Sequence, residues 1–160
     1  MNQWANFFSA MAESAATLTG LIFVGASINL PKILSLPALP DRALESLILL
    51  LNILIISGQS LTPDETPLAL GIRIASISAI VWFIMIYLDS RIWRKSEPHL
   101  RRYSLLNMIF SQLAILPFLV AGILMLFQGY SAIYWLVPGI MFSFVKAVID
   151  AWVLLVEIHR

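Results

Sequence analysis

The chain has 160 residues, of which 60% are hydrophobic and only 12% charged, and its mean hydropathy is +0.90. A soluble domain is nearer half apolar and a quarter charged, and several runs of about 20 apolar residues exceed what one soluble core of this size buries. The formal net charge of +1 gives no reason to expect a nucleic-acid partner, and the absence of cysteine excludes disulfides, thiolate metal sites and cysteine nucleophiles.

The first span is expected over residues 6–30, ending at Pro31. No Lys or Arg precedes Lys32, so the segment lacks the basic start of a secretory signal and is expected to stay as a membrane helix. Ala12, Ala16 and Gly20 recur every four residues, a small-residue ridge that lets another helix approach closely. Beside it runs a polar ridge of Ser9, Glu13 and Thr17. Such a helix is suited to a protein surround rather than to lipid.

Pro31, Pro37 and Pro40 interrupt the helix that precedes them. Asp41 reads as the N-cap of a second span over 42–60, which carries Glu45 and Asn52 and is the least apolar of the set. Asp64 and Glu65 form an acidic loop. Thr66 followed by Pro67 then reads as the cap and first turn of a third span over 67–88, with Arg73 inside it. Residues 89–102 form the most polar stretch, with Arg91, Arg94, Lys95, Arg101 and Arg102; it reads as a loop that fixes topology or meets lipid headgroups.

A fourth span is expected over 103–127, with Asn107, Ser111 and Gln112 in its first half and a kink at Pro117. A tight turn at Gly129 leads to a fifth over 133–157. There Gly139, Ser143, Lys146, Asp150 and Glu157 fall on one face at steps of four, three, four and seven. A charge near the middle of a spanning helix costs roughly 2.5 to 3.5 kcal/mol on insertion scales, so this stripe belongs inside protein or against a water-filled cavity.

The expected fold is therefore an all-α membrane protein, a single domain and bundle of five transmembrane helices, with the N-terminus outside and the C-terminus cytoplasmic. That orientation gathers Lys32, Arg42, Arg91, Arg94, Lys95, Arg101, Arg102 and Arg160 on the cytoplasmic side. It also sets Trp4, Phe7, Phe8, Tyr130, Tyr134 and Trp135 at the outer interface, and Tyr87, Trp93, Tyr103 and Trp152 at the inner one.

Depth counting along the helices pairs the charges. Glu13 and Arg73 each descend roughly 10 Å from the outer side and are expected to form an outer ion pair. Lys146 falls at the level of Asn52 and Gln112, and Asp150 near that of Asn107, giving an inner polar cluster that includes Ser143. The only histidines, His99 and His159, lie outside the expected spans. No nucleophile elbow, zinc-protease helix, phosphate loop or dinucleotide fingerprint occurs, so no catalytic, cofactor-binding or metal residue is assigned and no enzyme is expected.

The stretches LTGLIFVGASINL (18–30) and YWLVPGIMFSFVKAVIDAWVLLVEI (134–158) resemble those of a family of small uncharacterised bacterial multi-pass inner-membrane proteins. The resemblance implies a bacterial inner-membrane location and no reaction. The reading that follows is a non-enzymatic accessory or regulatory component of a membrane complex, partnered by the bilayer and by other membrane proteins or itself. The alternative is a homo-oligomeric ion or proton channel or transporter using Lys146, Asp150 and Glu13.

Overall fold

The computed structural model describes residues 2–63, 66–96 and 101–158, with the backbone alone for residues 2, 3, 157 and 158. His99, His159, Arg160, Asp64, Glu65 and the side chain of Glu157 lie outside what is described. The elements are α1 (Asn2–Ile28), α2 (Leu30–Ser35), α3 (Leu39–Ser60), α4 (Pro67–Lys95), α5 (Arg101–Gln128), a 3-10 segment (Gly129–Trp135) and α6 (Leu136–Ile158). Among the described residues, four helical stretches are long and apolar enough to cross a membrane; the last, Arg101–Val156, takes in α5, the 3-10 segment and α6. Large apolar side chains such as Phe83, Phe127, Val148 and Leu155 are exposed on the outside. An apolar exterior is what a membrane protein presents to lipid.

Several boundaries differ from those read in the sequence, each for a local reason. The first helix stops at Ile28, shortly before Pro31 as expected, but Pro31 then occupies the first turn of a new short helix, α2, where its missing N–H costs nothing. Asp41 is not the N-cap of α3. Ala38 takes that position, and Asp41 sits in the first turn, where its charge complements the helix dipole. Thr66 does cap α4, its hydroxyl accepting from the Ala69 N–H at 3.3 Å. The helix it starts runs to Lys95 and so carries Asp89, Arg91, Arg94 and Lys95, which the sequence reading gave to a loop. The buried face of Met85 and Leu88 continues at helical spacing into that extension with Ile92. Pro117 lies within the continuous α5. Gly129 adopts φ +65°, a left-handed conformation open to glycine, and there the chain leaves α5 for the 3-10 segment.

Helices α3, α4, α5 and α6 pack each on the next and close a four-helix ring, while α1 lies outside it against α3. The ring's core holds Leu50, Ile53, Ile56, Leu70, Ile74, Phe118 and Ile140. The helix that looked weakest in sequence, α3, is the most enclosed of the spanning stretches, with 56% of its apolar window buried against 11% for the first. It can be polar because it is central. Helices α4 and α5 approach closest: a Cβ on Gly122 would come within 2.5 Å of the Ala75 backbone nitrogen, and one on Gly71 within 3.1 Å of the Gly122 carbonyl oxygen. At one end of the bundle Trp4 meets Tyr134 edge-on at 5.0 Å, joining α1 to the 3-10 segment. At the other, Asp41 ties the start of α3 to the end of α4 through Lys95 at 2.7 Å and Arg91 at 3.4 Å. We call the latter the basic end.

Candidate functional site

Two features carry ionisable groups where a membrane helix would rather have none. The first is a buried cluster inside the ring, toward its basic end. Lys146 on α6 is 2% exposed and donates to Glu45 on α3 at 3.3 Å and to Asp150, one turn along its own helix. Asn107 on α5 donates to Glu45 at 3.1 Å and, more loosely, to Asp89 on α4 at 3.5 Å. Asp89 also accepts from Ser111 at 3.3 Å and Gln112 at 3.4 Å. Gln112 in turn takes the indole N–H of Trp82 at 2.7 Å. All four helices of the ring contribute.

The cluster explains itself by spacing. Asp41, Glu45 and Asn52 recur at four and seven, so one face of α3 turns a carboxyl toward α6 and α5. Three carboxyl groups share the cluster with one buried ammonium, each at most 4% exposed: Glu45 and Asp150 contact Lys146, and Asp89 joins through Asn107. The surplus of acid is matched by neutral donors (Asn107, Ser111, Gln112) rather than by further cations. The other Glu45 oxygen, Oε1, has no hydrogen-bond partner among the described residues, nor has either polar side-chain atom of Asn52. Ser143 donates to the Ala114 carbonyl at 3.2 Å and so pins α6 to α5. Among the described residues no group of three or more His, Cys, Asp or Glu is arranged to hold a metal ion.

The sequence reading placed Lys146, Asp150, Asn107 and Gln112 in one inner cluster, and the structure brings them together but rewires the contacts. Asn52, expected opposite Lys146, lies two turns farther along α3 and is buried without a bond to it; Glu45 takes Lys146 instead. Asn107, expected beside Asp150, serves Glu45 and Asp89. Glu45 and Asp89 were the residues missed. The α3 spacing was the available signal for the first, and continued helical periodicity past Leu88 the signal for the second.

The expected outer pair of Glu13 and Arg73 does not form. Arg73 Nη1 donates to Gln59 Oε1 at 2.9 Å, because the short α3–α4 connection sets those two positions side by side. Glu13 is on α1, which packs on α3, and equal depth does not bridge that gap. The basic stretch is also partly committed. Arg91 and Lys95 serve Asp41, Arg101 stacks 5.7 Å above the Trp93 ring, and Arg94 Nε donates to the Ser90 carbonyl at 3.3 Å. Arg102 is exposed.

The second feature is the outward face of α1. Phe8 and Ala15 are its buried residues, facing the bundle. On the opposite side Ala10, Glu13, Thr17, Gly20, Val24 and Ser27 are all exposed. Their steps of three, four, three, four and three form the stripe a helix offers in a left-handed helix pair. Gly20 has no heavy atom within 4 Å of where a Cβ would stand. Thr17 turns its hydroxyl to the Glu13 carbonyl at 2.8 Å, and among the described residues no hydrogen bond or ion pair engages the Glu13 carboxylate. Ala16 and Gly20 of the small-residue ridge both face outward.

Set against family models, curated proteins and solved structures, the chain matches none of them significantly.

Proposed function

We propose that this is a non-enzymatic accessory protein of a bacterial inner membrane, a five-span bundle with its N-terminus outside, that docks on a larger membrane complex through the outward face of α1. The observation that carries the reading is Glu13. It lies roughly 14 Å along α1 from Trp4, inside the apolar span, exposed within a stripe of small residues. Leaving a carboxyl to lipid within the span is costly, and a partner helix bearing a donor would relieve it. Two copies of α1 in parallel would set Glu13 against Glu13, so charge complementarity favours a different protein with a basic or amide side chain at that level. The orientation draws support from the basic end, where Arg42, Arg91, Arg94, Lys95, Arg101 and Arg102 lie together near the termini of α3, α4 and α5.

The test is the mass of the particle extracted from native membranes into lipid discs. A complex heavier than the 17.9 kDa chain, reduced to that chain by Glu13→Ala and by Gly20→Leu but not by the lipid-facing Ile80→Leu, is the expected result. A lone chain in wild-type membranes would sink the reading.

One observation favours a second reading, a homo-oligomeric channel or transporter for ions or protons. Glu45 Oε1, the Asn52 amide and the hydroxyls of Ser57 and Ser78 are buried without partners among the described residues. Buried polar atoms of this kind commonly hold internal water. Ion flux through reconstituted vesicles, abolished by Lys146→Ala or Asp150→Asn, would favour transport; flux no greater than that of empty vesicles would remove it.

A further inference from the structure

Near the basic end, α5 and α6 leave a groove of about 180 Å³ between them. Its floor is the Lys146–Asp150 pair, and its walls are apolar: Leu106 and Phe110 from α5, Ile149 and Val153 from α6. At its rim stand Arg42, from the first turns of α3, and Tyr103, 66% exposed at the start of α5. From Tyr103 to Phe110 the groove runs roughly 10 Å along the helices, from the end of the bundle toward its middle. It is polar and basic where headgroups would lie, and apolar where chains would.

The charges at the rim decide what fits. Asp41 is occupied by Arg91 and Lys95, and Arg101 by the face of Trp93. Arg42 is half-buried, and among the described residues no carboxylate lies within ion-pair distance of it. The carboxyl it influences, Asp150, is already bound by Lys146. A guanidinium fork whose donors make no hydrogen bond to the described residues is shaped for phosphate, and Tyr103, lining the same groove, offers a hydroxyl donor.

We propose that this groove seats one anionic phospholipid of the surrounding bilayer, its phosphate on Arg42 and Tyr103 and an acyl chain along Leu106, Phe110, Ile149 and Val153. The site differs from the expected one in the 91–102 stretch, whose cations the fold has largely committed. It also differs from the α1 face, on which it does not depend.

Delipidated protein in detergent is offered equal amounts of phosphatidylglycerol and phosphatidylcholine with the same acyl chains, and bound lipid is counted by native mass spectrometry. The wild-type chain should retain phosphatidylglycerol about fivefold over phosphatidylcholine, the effect of one basic side chain near a membrane surface. Arg42→Gln should erase that preference while leaving weak retention of both lipids. Ile149→Trp, which fills the groove, should reduce both. Tyr103→Phe, at an exposed position, should lower the preference about twofold, and it decides the matter if Arg42→Gln does not fold. Equal retention by the wild-type chain overturns the proposal. So does a preference that survives both rim variants, or one that millimolar inorganic phosphate competes away, which would mark an ion site with no use for the groove.

Discussion

Glu13 and Glu45 are the same side chain in the same kind of apolar helix, and Gly20 and Gly122 the same residue, yet the bundle treats them oppositely. Glu45 is fully buried and takes bonds from Lys146 and Asn107. Gly122 is pressed so close to Ala75 that a methyl group would overlap backbone. Glu13 and Gly20 face outward, and among the described residues no side chain from another helix bonds to the Glu13 carboxylate or packs where a Gly20 Cβ would stand. The chain spends small and charged residues inside the ring to bring its own helices together, and repeats the same devices on α1 where no helix of its own arrives. What a lone chain leaves open on α1 is built like an interior.

That contrast can be broken most forcibly at Lys146. Lys146→Met leaves Glu45 and Asp150 buried without their cation, and removing one partner of a buried ion pair typically costs about 3 to 5 kcal/mol. Thermal unfolding in detergent should show a large drop, and the added change Asp150→Leu should return part of it. Gly122→Val should cost about 1 to 3 kcal/mol by overpacking the α4–α5 seam, seen as a lower melting temperature of the purified chain. Thr66→Ala, which removes only the α4 cap, should cost about 1 kcal/mol in the same measurement. At the bottom of the scale, Gly20→Leu and Glu13→Gln should leave the melting temperature of the isolated chain unchanged while weakening its association in membranes. If Gly20→Leu destabilised the isolated chain as Gly122→Val does, α1 would be an interior helix after all and the comparison would fail.

The sequence carried the helices well and their mutual rotation poorly. Apolar length, Thr66–Pro67 and the Lys146–Asp150 spacing are local signals, and local structure obeys them. Depth is legible only to within about two turns, because rise per residue is fixed but the start of each helix in the membrane is not. Asn52 counts to the level of Lys146, yet Glu45, seven residues earlier, meets it. Azimuth is not legible at all. Glu13 and Arg73 count to the same level, but which way each points depends on how α1 and α4 sit around α3, and nothing near either residue encodes that. The same blindness hid Glu45. In sequence Glu45 only makes its span less apolar; that it meets a lysine depends on α6 passing beside it. Asp89 was lost to a different cause, a hydropathy boundary at Leu88 that the helix ignores because Ile92 continues its buried face.

The Lys146–Glu45 contact joins residues 101 positions apart, and that separation has a consequence during synthesis. At about 5–20 residues per second, the ribosome releases Lys146 some 5 to 20 s after Glu45 has left it. Through that interval α3, α4 and α5 must enter the bilayer with two acidic groups and no counter-cation from α6. A nascent chain therefore carries its buried acids uncompensated until α6 emerges. The buried lysine thus sets an order for assembly, α6 after α3, as well as forming a bond within the bundle.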